Sequence, residues 1–225
     1  SNVYRLVHNR WSADDSGNGY AGGTRNTGPT NTKIITTGAN INLDSQITDT
    51  ILLKYGLNYR HQKIRPNQLF QQWRAPIGYQ TKQDIGIYTE AIANIGDKVT
   101  LTGGLRYDHF GVTFSDGRKI TGNNINPSIG AIYDITPELS VNASLNYATR
   151  SPRLTEVALS GGSVYRAADN LKAEKSRNTE IGIKYNLNQA LSVNASYFNQ
   201  QIKDIQAVRN NIYYNGGTLK NSGYE

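Results

Sequence analysis

Hydrophobic and polar residues alternate with a period of two along most of the chain. Over 138–148, Leu139, Val141, Ala143, Leu145 and Tyr147 alternate with Ser140, Asn142, Ser144 and Asn146. Over 50–62, Ile51, Leu53, Tyr55, Leu57 and Tyr59 alternate with Lys54, Gly56, Asn58 and Arg60. The same pattern runs through 97–109, 179–187 and 191–197, and in weaker form through 31–43, 81–95 and 125–134. The first and last dozen residues fit strands too. Successive side chains of a strand point to opposite faces, so each segment has one apolar and one polar face. The pattern predicts about ten strands of roughly 10–14 residues, against about 5–6 in ordinary soluble sheets. No window has the period of an amphipathic helix.

The connections fall into two classes. "DSQITD" (44–49), "NIGD" (94–97), "DITPE" (134–138) and "NLNQA" (186–190) are short and rich in turn formers. Between them lie long polar stretches at 12–30, 63–80, 111–124, 151–172 and 206–214. Short and long alternate strictly. An antiparallel up-and-down sheet therefore collects every short turn at one end and every long loop at the other, the asymmetry of an outer-membrane barrel. The polar face carries Lys54, Arg60, Glu90, Arg106, Asp108, Glu180 and Lys184. A dry core would demand a partner for each charge, whereas a water-filled lumen does not. The expected fold is all-β: a transmembrane antiparallel up-and-down barrel segment with long external loops and short periplasmic turns. A soluble sandwich is the distant alternative, with no reason to sort its loops by length.

Composition sharpens this picture. The chain has 225 residues, 24 Lys+Arg against 17 Asp+Glu, and a formal net charge of +7. Its cations are scattered and form no run of the kind that binds nucleic acid, so no nucleic-acid partner is expected. Cysteine is absent, which excludes disulfides, thiolate metal sites and thiol nucleophiles. Mean hydropathy is −0.57, and no stretch of about 18 apolar residues offers a membrane helix. There are 15 Tyr and 22 Gly but only 4 Phe and 2 Trp. Strand-end Tyr55, Tyr59, Tyr107, Tyr147, Tyr185 and Tyr197 suit an interfacial aromatic girdle. No signal peptide precedes the first strand, so the chain reads as a piece of something longer.

Catalytic chemistry finds no support. His8, His61 and His109 are scattered near strand ends without metallohydrolase spacing. No G-x-S-x-G elbow is present. "DDSGNGYAGG" (14–23) lacks the ligand spacing of a calcium loop. No enzyme, no resident cofactor and no structural metal are expected. Candidate ligand contacts are the loop aromatics Trp73, Tyr79, Tyr165, Tyr213 and Tyr214, which have no apolar face to join. With them stand Arg150, Arg153 and Arg166, whose guanidinium forks suit carboxylates and anionic chelates. Solvated charge or contact with lipopolysaccharide is the plainer reading of these arginines.

One break in the alternation stands out. The run ending at Tyr147 gives way to "YATRSPRLTEV" (147–157), and alternation resumes only after "ADNLKAEKS" (168–176). Pro152 has no N–H for a ladder and restricts Ser151, so the chain leaves the sheet there. "SGGS" (160–163) would let the loop move over the mouth, and the return at Asn170 to Ser176 would fix its base.

"SLNYATRSPRLTEV", "ADNLKAEKSRNTEIGIKYNL" and "LSVNASYFNQQIKDIQ", together with "DIGIYTEAIANIGDKVTLTGGLRYDHF" (84–110), resemble the TonB-dependent outer-membrane receptors. The resemblance is good over about 81–225 and diffuse before it. It implies that residues 1–225 are the middle of one β-barrel domain of about 22 strands, lacking the plug domain and the closing C-terminal strands. It implies location in the outer membrane of a Gram-negative bacterium and TonB-energised uptake of a ferric siderophore or haem. The implied partners are the TonB complex, an iron chelate, haem or a haem-carrying protein, and lipopolysaccharide. Siderophore, haem and cobalamin receptors share these motifs, so a non-iron ligand such as cobalamin, or a passive porin or other outer-membrane barrel, stays open. Haem receptors carry an F-R-A-P box and an N-P-x-L box with a histidine between. By position these fall on Thr149, Arg150, Ser151 and Pro152, and on Ala168, Asp169, Asn170 and Leu171. No histidine lies between them, and Tyr165 is the available iron ligand there.

Overall fold

Antiparallel pairing of the alternating segments builds one ten-stranded sheet in the computed structural model. The structure describes residues 1–12, 30–65, 79–114, 117–153, 166–188, 191–210 and 212–225. The strands are β1 (Asn2–Ser12), β2 (Thr30–Thr48), β3 (Ile51–Arg65), β4 (Gln80–Ile95) and β5 (Val99–Thr113). There follow β6 (Lys119–Asp134), β7 (Leu139–Arg150), β8 (Arg166–Ala167), β9 (Glu174–Asn188) and β10 (Leu191–Lys203). The last are β11 (Gln206–Arg209), β12 (Ile212–Asn215) and β13 (Thr218–Tyr224). The large sheet has the order β1-β2-β3-β4-β5-β6-β7-β9-β10-β13, and every neighbouring pair is antiparallel. This is the expected up-and-down meander. The sheet is not closed, and β1 and β13 form its edges.

Several strands outrun the expected length. β2 reaches 19 residues and β4 and β6 reach 16. β2 runs through the supposed turn 44–49 to Thr48, leaving Asp49 and Thr50 to make the reversal after a register shift between Gln46 and Thr48. The expected long loop at 111–124 is a second correction. β5 continues to Thr113 and β6 starts at Lys119, closed by Phe114 N–H to the Arg118 carbonyl at 2.9 Å and Gly117 N–H to the Phe114 carbonyl at 3.0 Å. Gly117 sits at φ 85°, where glycine has no steric penalty. The expected loop 206–214 is instead a hairpin: β11 and β12 pair antiparallel, and β12 pairs with β8 in parallel.

Even-numbered residues of β1–β7, β9 and β10 share one face, since the registers couple even to even apart from the turn-end slips at Thr48–Ile51 and Asn188–Leu191. Lys54 lies opposite Glu90, and Arg60 opposite Asp84. The odd-numbered face is apolar and open: Ile125 is 67 % exposed, Ile129 63 % and Ile181 59 %. A soluble protein would hide such a surface; a lipid-facing one displays it. Tyr55, Tyr59, Tyr107, Tyr147, Tyr185 and Tyr197 stand on this outward face. Leu145, Ile183 and Val193 share it, while Asn146, Lys184 and Asn194 line the polar face.

The buried apolar core does not run along the sheet. Ile64, Phe110, Val112, Phe114 and Ile120, at the loop end of the polar face, pack with Ala167, Leu171 and Ala173 from the return segment after β7. The core is thus a docking patch that holds external chain against the inner wall.

Candidate functional site

Proline decides where the site opens. The β5–β6 ladder is unbroken through Leu105 opposite Pro127. The β6–β7 ladder stops at Ser128 opposite Asn146, one step short of Pro127, which has no N–H to offer. β7 meanwhile stays paired with β9 up to Arg150 opposite Glu174. Towards the loops β7 therefore parts from β6, and the chain beyond Arg150 crosses the polar face.

Ser151 shows where it goes. Its hydroxyl accepts from Lys82 Nζ at 2.7 Å and donates to Asp84 Oδ1 at 2.8 Å, both on β4. Asp84 also receives Arg60 at 2.9 Å and lies 3.4 Å from Lys82 Nζ. Lys82 is only 2 % exposed, and Pro152 is fully buried. The answer to the basic, proline-broken segment is thus geometric: Arg-Ser-Pro-Arg is folded inward and tied to the wall three strands away.

A second polar group lies beside the first. The Arg106 guanidinium binds Asp108 at 2.8 Å and donates to Asn58 Oδ1 at 2.9 Å. Asn126, buried, donates to Asp108 Oδ2 at 2.9 Å and across the split to Thr149 Oγ1 at 3.0 Å. Gly86 makes this possible, because a Cβ there would collide with the Arg106 guanidinium. Between these groups lies a cavity of about 590 Å³ lined by Arg60, Lys82, Arg106, Arg150 and Arg153, by Asp84 and Asp108, and by Tyr4, Asn40, Asn58 and Gln62 among others. Five cations against two carboxylates give it a positive balance that suits an anionic, hydrogen-bonding ligand of moderate size.

The return segment is held by polar ties of its own. Arg118 donates to the Ala167 carbonyl at 3.0 Å and to Asp169 at 2.8 Å. Asn215 accepts from the Lys172 N–H at 2.7 Å and donates to the Asp204 carbonyl at 2.7 Å. Glu174 joins both loops, accepting Arg150 Nε at 2.7 Å and the Gln206 N–H at 2.8 Å.

The expected contact residues divide accordingly. Arg150 and Arg153 line the cavity, Arg150 with its Nε on Glu174. Arg166 belongs to β8. Tyr213 packs against the docking core, Tyr214 lies over Gly216, and Tyr79 sits under the Lys63 ammonium at 4.0 Å, before β4. Trp73, Tyr165 and residues 160–163 lie outside the described residues. Sequence reading missed Lys82 and Asp84, although both fall on the polar phase of β4. His109 meets Asn123 at 2.7 Å on the outward face. Among the described residues no group of His, Cys, Asp and Glu forms a metal cluster.

The family described as TonB dependent receptor-like, beta-barrel matches residues 1–225. The FrpB iron transporter from Neisseria meningitidis superposes in its F5-1 variant with a TM-score of 0.81 at 40% identity, over 99% of this chain and 37% of that one. Its F3-3 variant gives a TM-score of 0.80 at 44% identity, over 99% and 36%. A mutant of the ferric enterobactin receptor PfeA from Pseudomonas aeruginosa shares the fold, with a TM-score of 0.70 at 18% identity over 99% of this chain and 37% of that one. This chain therefore spans little more than a third of the structures it matches. No functionally curated protein matches it.

Proposed function

The chain belongs to the TonB-dependent receptor β-barrel family, and from that premise we propose that it forms part of the barrel of an outer-membrane receptor for an iron complex. The ligand is a ferric siderophore or haem, and uptake is energised through TonB. The observation that carries this reading is the 40–44% identity to an iron transporter along 99% of the chain. The cavity supports it: its cations would draw a negatively charged chelate inward and grip its carboxylate, catecholate or propionate oxygens. Residues 1–225 are one stretch of a single barrel domain, with plug and closing strands supplied outside it. Ten strands alone leave the edges of β1 and β13 open, which lipid does not tolerate. The proposal assigns Arg153 and Arg150 to ligand contact, with Tyr213 and Tyr214 near the mouth and Trp73, Tyr79, Tyr165 and Arg166 as the remaining loop candidates.

The test is growth of a deletion strain on single iron sources. Loss of growth on one ferric chelate or on haem, restored by the gene only when TonB is present, is the expected result. Restoration without TonB would point to a passive porin. A strain indifferent to every iron source, and a protein not induced by iron limitation, would overturn the reading.

A further inference from the structure

Outside the cavity, the outward face carries a cluster of cations that uptake does not use. Lys175 on β9 lies directly opposite Lys203 on β10. Arg177 and Lys220 flank them from either side, both paired in register with Gln201. All four side chains are exposed. Directly opposed side chains have Cβ atoms about 4.5–5.5 Å apart, and like charges so placed repel. The sheet offers no compensation: the outward positions of β7, β9, β10 and β13 contain no Asp or Glu. None of the four takes part in an ion pair among the described residues.

Height on the wall identifies the neighbour. Going from turn end to loop end, the outward residues of β9 read Leu187, Tyr185, Ile183, Ile181, Thr179, Arg177, Lys175. Those of β10 read Leu191, Val193, Ala195, Tyr197, Asn199, Gln201, Lys203. On β9 the apolar band ends at Ile181, with Thr179 as the one polar step before Arg177 and Lys175; on β10 it ends at Tyr197, with Asn199 and Gln201 before Lys203. Arg177 is the direct cross-strand partner of Tyr147, one of the girdle tyrosines. Tyr197 packs on Tyr224 of β13 with ring centroids 5.1 Å apart. Aromatic girdles sit at the level of lipid headgroups. The cations therefore emerge at and just above the headgroup layer of the leaflet that meets the long loops.

We propose that Lys175, Arg177, Lys203 and Lys220 form a binding site for the phosphate groups of an anionic glycolipid in that leaflet. The headgroup phosphates would lie over the Lys175–Lys203 pair, with Arg177 and Lys220 clasping the saccharide edge, and acyl chains would descend along Ile181, Ile183 and Val193. The anion converts a repulsive pair into an attractive one. The site depends on the barrel lying in a membrane and not on which ligand the lumen carries.

The test uses the intact receptor containing these strands, purified and placed in phosphatidylcholine nanodiscs. Bisphosphorylated lipid A is added in one arm, its dephosphorylated form in a second, phosphatidylglycerol in a third and inorganic phosphate in a fourth. The wild-type receptor should gain several degrees in melting temperature with bisphosphorylated lipid A and retain it in native mass spectrometry. The variant K175Q/R177Q/K203Q/K220Q should lose that gain and bind at least about tenfold more weakly. In plain phosphatidylcholine the same variant should melt no lower than wild type, because it has shed a repulsion; this also controls for folding. Equal retention by both proteins would overturn the site. So would equal stabilisation by phosphatidylglycerol or inorganic phosphate, which would reduce it to a diffuse basic surface. No iron complex enters any arm, so failure here is separate from failure of the uptake reading.

Discussion

At the scale of single residues, the cavity depends on who may approach whom. Gly86 is the clearest case, since its missing side chain is the bed of the Arg106 guanidinium. Gly86→Ala should push Arg106 off Asn58 and Asp108 and lower ligand affinity by at least about tenfold, roughly 1.4 kcal/mol. Gly130 on β6 is the control, where a Cβ would meet nothing closer than 3.7 Å. Gly130→Ala should leave affinity unchanged, as read by titration of the purified receptor with the chelate that supports growth. Arg150 is bound to Glu174 as well as lining the cavity. Arg150→Ala should therefore loosen the loop base as well as ligand binding, whereas Arg153→Ala, which leaves the Arg150–Glu174 hydrogen bond in place, should weaken binding and disturb the loop base less. Hydrogen exchange at Gln206, whose N–H rests on Glu174, separates the two. Protection there should fall further in the first variant than in the second.

At the scale of elements, the docking of the return segment is the feature to test. Leu171 is fully buried against strand residues of the loop end. A buried Leu→Ala change costs about 2–5 kcal/mol where the site cannot collapse. Leu171→Ala should expose the segment 166–173 to protease while the barrel keeps its resistance to heat and detergent on gels. Equal protease resistance would show that the polar ties, Arg118 to Asp169 and Asn215 to Lys172, hold the segment unaided. Much of this level was legible beforehand: strands, their order and the sorting of turns follow from period two and turn chemistry. The 111–124 and 206–214 stretches were not, because their Gly, Asn, Asp and Ser content reads as loop, while Val112, Phe114 and Ile120 are covered by the distant segment carrying Ala167, Leu171 and Ala173. Pro127 was the readable signal for the parting of β6 and β7. It sits inside the alternating run 125–134, where a missing N–H must end one ladder.

At the scale of the whole molecule, one parity governs the wall from β1 to β10, and β13 continues it with its even residues outward. The odd-numbered face meets lipid and the even-numbered face meets the lumen, an assignment open to cysteine scanning. Single cysteines at Leu145, Ile183 and Val193 should react with a membrane-restricted reagent, and those at Asn146, Lys184 and Asn194 with a water-soluble one. The site was less legible than the wall because it joins distant segments. Nothing in the sequence says that Ser151 reaches Lys82 and Asp84, since that contact spans 69 and 67 residues. The most direct test of the account is the initial rate of iron uptake by the deletion strain carrying either the wild-type gene or Arg60→Gln/Arg153→Gln. With an anionic ferric chelate, the account predicts a wild-type rate that falls as ionic strength rises and a variant rate lower by at least about tenfold, with the barrel still folded in the membrane. Equal rates at every salt concentration would contradict it.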